Sequence, residues 1–340
     1  MKKLDVKKLL SSSSTIRIAD LGCATGPNAF FHSHYILHAI KNKFITQTTN
    51  NNNNNNNNLS NNNNNNIINF QVFFNDLPSN DFNTLFATLP PQDKRDYFAC
   101  GVPGCFYGTL FPEASIHVAY SVHACHFLSE SPRELAGSGA VATTNKGRVH
   151  YTGASEDVAE AYRRQFNEDA RKFLEGRAME IVSGGMLVMV MQGVPHGMPH
   201  SQVPAGFMYE CMGSILKDMV NEGLLEESEL DSFNVPFYTP SPKEMREVIE
   251  ANGKFSIERM ELSDPAPWLA RSSLTDIPDW VIHVRAAMEP IFTSHFGHHI
   301  THQLFTRLPT LMQLNSQDLD SKSRDKTQML LVLKRKDRSI

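Results

Sequence analysis

Asp20-Leu-Gly-Cys-Ala-Thr-Gly-Pro-Asn28 is the stretch on which the fold turns. It follows the apolar run Ile16-Arg-Ile-Ala-Asp-Leu21, which reads as a short buried strand, and it opens a helical segment over 28–43. Gly22 and Gly26 permit positive φ and a close backbone approach. Asn28, at the helix start, offers both an amide donor and a carbonyl acceptor. The spacing is not the G-x-G-x-x-G of a dinucleotide fold, and the Lys of a P-loop is absent. A strand–glycine–helix turn without a phosphate cradle points to a nucleoside lacking a pyrophosphate. The competing reading is an ordinary glycine turn that only ends a strand.

Outward from this turn, strand-like and helix-like segments alternate. Further strands are predicted over 67–74, 97–101, 116–121, 185–191, 255–261 and 329–334, and helices over 80–89, 155–182, 206–222 and 282–296. Repeated βα units argue for an α/β fold: a parallel, Rossmann-like sheet with helices on both faces in one domain spanning 1–340. Two intervals, 195–252 and 262–328, exceed ordinary connections, and they are expected to form an α-helical cap. Ligands of open α/β sheets bind beyond the carboxyl ends of the strands, so such a cap would roof the ligand. Fifteen asparagines within the seventeen positions 50–66 form a tract that cannot bury enough apolar surface to order itself, and 46–66 reads as a disordered insertion.

Composition narrows the function. Thirty-two basic against thirty-six acidic residues argue against a nucleic-acid surface spread over the whole chain. Five cysteines are not a disulfide framework and fit a reducing compartment. No apolar run reaches membrane-span length, and the basic segment Met1 to Leu10 lacks the apolar stretch of a secretory signal. A cytoplasmic protein without membrane or nucleic-acid partners is expected.

Among candidate ligand residues, Asp76 ends the second strand, where a carboxylate can accept from both ribose hydroxyls. Asp81 is the better candidate for capping the next helix. The loop Gly101 to Gly108 carries Phe106, which could stack on a base. Cys100 and Cys105 have a C-x4-C spacing that a zinc site could use, but His123 and His126 stand closer than the usual H-x3–5-H, which argues against one, and His196 and His200 read as solvated loop residues. Met186, Met189 and Met191 read as strand core.

Taken together, Asp20 to Asn28, Asn75 to Asn83, Gly101 to Pro112, Ser115 to Ser129, Asn145 to Tyr151, Gly184 to Met189, Asp231 to Pro236 and Phe255 to Arg259 resemble the SABATH family of plant methyltransferases. The resemblance runs from Ile16 to the C-terminus. It implies a class I methyltransferase fold and methyl transfer from S-adenosylmethionine to the carboxylate of a small metabolite. A ring nitrogen or oxygen of a heterocycle such as a xanthine is the alternative acceptor. It implies that Asp20, Gly22, Cys23 and Asn28 line the methionine end of the cofactor, that Asp76 and Leu77 hold its ribose and adenine side, and that Cys105 and Phe106 hold the adenine. It places His123, His126 and Phe127 against the acceptor. It also implies a homodimer and, as in some members, Mg2+ at Asn145, Asp231, Phe233 and Asn234. There are departures. Cys105 stands where the family usually has Ser, and Phe127 replaces a Trp whose indole N–H holds the carboxylate. None of the fifteen residues before the first strand matches the family's substrate-gripping N-terminal segment. A catalytically silent, truncated paralogue is therefore the further alternative.

Overall fold

The computed structural model describes residues 4–10, 14–53, 68–136, 145–264, 277–322 and 326–337. All seven predicted strands are present: β1 Thr15–Leu21, β2 Asn69–Asp76, β3 Phe98–Pro103, β4 Ile116–Val122, β5 Ile181–Gln192, β6 Phe255–Ser263 and β7 Gln328–Arg335. They form one sheet in the order β3-β2-β1-β4-β5-β7-β6. β1 to β5 pair in parallel, but β7 lies antiparallel between β5 and β6, which corrects the all-parallel expectation. The reason is in the register. Ser263, the last residue of β6, pairs with Gln328, the first of β7, so the chain returns at the end where it left and must run back the other way.

Alternation along the strands separates two cores. Ile18, Val72, Phe74 and Val118 pack beneath α1 (Val6–Leu9) and α2 (Asn28–Asn53). Ala19, Ala119 and Leu187 pack with Val158, Phe166 and Phe173 of the long helix Glu156–Glu180 on the opposite face. Met186, Met189 and Met191 are strand core, as expected. The short helix α1 is not visible in the hydrophobic pattern. It buries Val6 and Leu9, with Leu4 buried just before it, and its start is tied to α2, because the Val6 N–H donates to Gln47 Oε1 at 3.1 Å.

That tie explains a second difference. α2, expected to stop near Lys43, continues to Asn53, so the first residues of the 46–66 stretch are helical. Thr46, Thr48 and Thr49 each return their hydroxyl to the carbonyl four residues back, satisfying polar groups along the helix. Most of the asparagine tract, 54–67, lies outside the described residues. Between β2 and β3, α3 (Phe82–Ala87) begins where Asp81 accepts from the Thr84 N–H at 2.9 Å, the capping role assigned to it.

Beyond α4 (Arg133–Ala136) and α5 (Glu156–Glu180), the cap comprises α6 (Pro204–Asn221), α7 (Glu227–Ser232) and α9 (Ile277–Leu314). Its own core includes Met212, Leu216, Phe292, Leu304, Leu308 and Met312, all fully buried. At roughly 1.5–3 kcal/mol per buried large apolar side chain, such a cluster holds the cap as a packed layer rather than a loose lid. α9 breaks at Gly297 (φ 75°), close to its expected end at Phe296, and then resumes in a second half not anticipated from sequence. α8 (Pro242–Asn252), inside the interval assigned to the cap, instead places Met245 and Ile249 in the sheet's core. α10 (Ser316–Asp320) leads back towards β7.

Candidate functional site

The site begins where β1 ends. Gly22 has φ +84°, and a Cβ there would fall 2.3 Å from Ala124 Cβ and 3.6 Å from the Phe106 ring. Only glycine allows the three loops after β1, β3 and β4 to close this tightly. The Gly22 and Cys23 N–H groups both donate to the Asn75 carbonyl, at 2.9 and 3.0 Å. The loop then turns at Ala24 (φ 52°), whose N–H donates to Asp76 Oδ2 at 2.7 Å; Asp76 Oδ1 accepts from the Leu77 N–H at 2.8 Å. Asp76 thus joins the β1 and β2 loops, and each of its oxygens keeps a lone pair for a further donor.

Asp20 is buried, and its Oδ2 has no hydrogen-bond partner among the described residues. Burial pushes its carboxyl well above the usual carboxylate range; the Tyr120 hydroxyl pulls the other way and Asp76 adds to the rise. A lone buried carboxylate oxygen is costly unless something cationic answers it. Cys23 is a packed neutral thiol: burial, Asp20 and Asp76 drive its pKa strongly up. Asn28 is exposed at the first turn of α2, and Leu77 is half exposed at the rim.

The loop that presents exposed Cys105 and half-buried Phe106 is clamped from behind by a buried ion pair. Arg177 donates to the Phe106 and Gly108 carbonyls at 2.8 and 3.0 Å. Glu180 pairs with Arg177 at 2.8 Å and accepts from the Leu110 and Phe111 N–H groups. Phe106 lies edge-on to Phe173, ring centroids 5.7 Å apart.

Beside the loop after β4 lies a cavity of about 150 Å³. His123, His126 and Phe127 line it, so the three acceptor-side residues are brought together. His123 adopts φ 58° and its N–H donates to the Val190 carbonyl at 2.7 Å. Desolvation holds its imidazole down to about 4, with His283 and His32 adding like charge. His126 is buried and held well below its ordinary value, first by desolvation and then by His123. Its Nδ1 accepts from the Gln192 N–H at 3.2 Å, so the neutral ring carries its proton on Nε2. Phe127 packs edge-on against Phe237 at 5.2 Å, and its carbonyl accepts from the Tyr107 hydroxyl.

Sequence reasoning missed the rest of this wall. Gln192 and Gln328 come from the adjacent ends of β5 and β7, Thr239 from the turn before α8, and Trp280 and His283 from α9. The strand ends could have been found by following the sheet order. Trp280 could not, since its approach depends on how the cap folds back. One expectation is corrected outright: His200, read as a solvated loop residue, is buried between Thr152 and Thr239.

The four residues assigned to Mg2+ also converge. Asn145 Nδ2 donates to Asn234 Oδ1, and Asp231 accepts from the Gly147 N–H at 2.9 Å and lies 3.6 Å from Lys146 Nζ. Phe233 follows directly on α7, its N–H bonded to the Leu230 carbonyl. Asn145 Oδ1 is buried without a hydrogen-bond partner among the described residues.

Residues 1–336 match the family described as SAM dependent carboxyl methyltransferase. Loganic acid O-methyltransferase of Catharanthus roseus is 39% identical over 338 residues, spanning 98% of this chain and 85% of that protein. Farnesoic acid carboxyl-O-methyltransferase of Arabidopsis thaliana is 38% identical over 259 residues, 76% of this chain and 68% of that one. Probable caffeine synthase 2 of Camellia sinensis is 32% identical over 333 residues, covering 94% and 84%. The solved structure of loganic acid methyltransferase with SAH superposes with a TM-score of 0.87 at 38% identity, over 99% of this chain and 90% of the other. With the sheet order and a site built at the carboxyl ends of β1 to β4, these likenesses settle the family: the chain belongs to the S-adenosylmethionine-dependent carboxyl methyltransferases, the SABATH family.

Proposed function

We propose that the chain methylates the carboxylate of a small metabolite held in the cavity between His126 and the cap. The observation that carries this is the fixed tautomer of His126, whose Nδ1 is engaged by the Gln192 N–H and whose Nε2–H is all that the neutral ring can offer. A neutral donor suits this chemistry. The acceptor carboxylate, with a pKa near ~4, is already ionised and needs no base. A donor without charge holds it without neutralising the oxygen that attacks. Positioning is therefore the main demand, with oxygen and methyl carbon roughly 3–3.5 Å apart and in line. Trp280 puts an indole on the same wall, so the donor type lost at Phe127 is again at hand.

S-adenosylmethionine, when bound, supplies an electrophilic methyl group on a sulfonium. The residues present fit it. Asp20 Oδ2 lacks a partner and would pair with the methionine ammonium, Asp76 would accept from the ribose hydroxyls, and Phe106 would pack on the adenine, with Gly22, Cys23, Asn28, Leu77 and Cys105 around them. For Mg2+, the unpartnered Asn145 Oδ1 and the Asp231 carboxylate, with Asn234 and the Phe233 carbonyl, make an oxygen-rich set suited to a hard cation. It lies apart from the acceptor cavity, so its contribution would be structural. Homodimer formation belongs to this reading through the family resemblance, and a cytoplasmic location through the cysteine usage of the sequence. No helix among the described residues is long and apolar enough to cross a membrane.

Calorimetry with S-adenosylhomocysteine followed by labelled-methyl transfer to a panel of plant acids and xanthines tests the reading. Base-labile product, releasing methanol, identifies an ester. Base-stable product from xanthines alone would favour the heterocycle alternative, and cofactor binding without transfer would favour a silent paralogue.

A further inference from the structure

Behind the acceptor cavity runs a buried chain of four polar side chains with a single possible sense. It starts at the Phe237 carbonyl, which can only accept, so His150 Nε2 at 2.9 Å must donate. Burial, with His200 adding like charge, keeps the His150 ring neutral, so its Nδ1 is bare. That nitrogen takes the Thr152 hydroxyl proton at 2.8 Å, with the Thr152 N–H at 3.4 Å. Thr152 Oγ1, its proton spent, can only accept from His200 Nδ1, also at 2.8 Å. Burial keeps His200 neutral as well, at about 3, so His200 Nε2 is bare and takes the proton of Thr239 Oγ1 at 3.0 Å. Reversing any link would require a carbonyl to donate.

Both ends of this chain, Phe237 and Thr239, lie in the cavity wall. The only hydroxyl proton of Thr239 is therefore committed away from the cavity, and its oxygen is left to accept, sharing its lone pairs with the neighbouring Tyr151 hydroxyl, which itself accepts from the Thr239 N–H at 3.3 Å. The wall also carries His123, Tyr209, His283 and Thr327, groups that can accept as well as donate, whereas Thr239 has its sense fixed by the chain behind it. His126 offers only a donor, whereas Gln192 and Gln328 carry both kinds and can turn to suit either.

We propose that Thr239 is a specificity-determining hydrogen-bond acceptor, its sense set by the Thr152–His150–His200 chain, which selects acids bearing a second group that donates, a hydroxyl or N–H. The proposal rests on the carboxylate reading above and narrows its substrate class to hydroxylated acids over hydrocarbon acids of similar size.

The test compares benzoate and cyclohexanecarboxylate with their ring-hydroxy and ring-methoxy derivatives, the methoxy group keeping the oxygen but losing the donor. Wild-type kcat/KM is expected to favour the best hydroxy acid over its methoxy partner roughly ten- to hundredfold. Thr239→Val should lower the hydroxy acid to the methoxy level, and Thr239→Ser should restore the preference. His200→Leu frees the Thr239 proton to turn into the cavity and should raise the methoxy derivatives relative to wild type. Thermal melts identify variants that fail to fold. A Thr239→Val enzyme that keeps the preference, or a wild type with none, overturns the proposal. The same pairs titrated calorimetrically with S-adenosylhomocysteine present give a readout independent of turnover. If no acid is methylated, the carboxylate reading fails, while the hydroxy-over-methoxy binding ratio still decides the role of Thr239.

Discussion

Replacing Arg177 with Met should damage both stability and cofactor binding, and the structure sets the scale of each. Arg177 and Glu180 are essentially inaccessible to solvent, and two carbonyls and two N–H groups of the 106–111 loop depend on them. Removing the guanidinium strands a buried carboxylate and leaves the Phe106 and Gly108 carbonyls unanswered. Breaking a buried pair in this way costs about 3–5 kcal/mol. With an unfolding entropy near 2 cal/mol/K per residue, a chain of this length changes Tm by roughly 1.4 °C per kcal/mol, so the melt should fall by about 4–7 °C. The loop it frees carries Phe106, so the Kd for S-adenosylhomocysteine should rise at least roughly tenfold, since one lost charge-assisted contact is worth about 1.5–3 kcal/mol. Arg177→Met with Glu180→Leu should cost less than the two single changes added together, because no lone charge remains. Differential scanning calorimetry and titration calorimetry on the four proteins complete the cycle. An Arg177→Met melt within about 2 °C of wild type, with unchanged affinity, would refute the idea that this pair holds the cofactor loop.

Gly22→Ala should abolish cofactor binding, because its Cβ would strike Ala124 at 2.3 Å in a left-handed conformation; near-normal affinity by titration would contradict the close-approach argument. Asp20→Asn should weaken S-adenosylmethionine binding by roughly ten- to hundredfold. In the wild type, Asp20 must lose its proton to pair with an ammonium, so affinity should worsen as pH falls below its raised pKa, whereas the Asn variant should titrate flat. His126→Phe should lower kcat/KM for acids by about the same factor with S-adenosylhomocysteine affinity kept, and an unaltered rate would remove Nε2–H from the mechanism. His123 and His200 are held to about 4 and about 3, below the unfolded value near ~6.5. For buried His200 the contribution to stability is complete above pH ~6.5 and is lost as pH falls through that value towards the folded one, by up to about 1.4 kcal/mol per pH unit, whereas exposed His123 is screened by solvent and contributes less. His200→Gln should shed one proton's worth of that slope in a pH series of melts.

Much of the sheet was legible because its strands are short apolar runs punctuated by glycine and proline. Ile16 to Leu21 announces itself this way, with the Asp20 carboxylate and Gly22 at its end, while Ile116 to Ser121 shows as a short run after Pro112 with no glycine or carboxylate at its end. What could not be read depends on contacts distant in the chain. The antiparallel entry of β7 is decided by where the cap connection returns, and the extension of α2 by Gln47 reaching α1. His200 has the local sequence of a solvated loop, His-Gly-Met-Pro-His, yet it is buried because Thr152 and Thr239 meet it from two other segments. The cofactor side of the site is built from residues close to glycine turns. The acceptor side is closed by Trp280 and Thr239, which no local pattern distinguishes from core.

The contact between Gly22 and Ala124 has a consequence for how such an enzyme can change its chemistry. At that point the loop after β1, which carries Gly22 and Cys23, meets the loop after β4, which carries His123 and Ala124, with no room for a Cβ between them. The spacing between these two loops is therefore set by main chain, not by any side-chain rotamer. Substitutions in α6 or α9 can reshape the cavity beside His123 while that loop spacing stays where the sheet has put it.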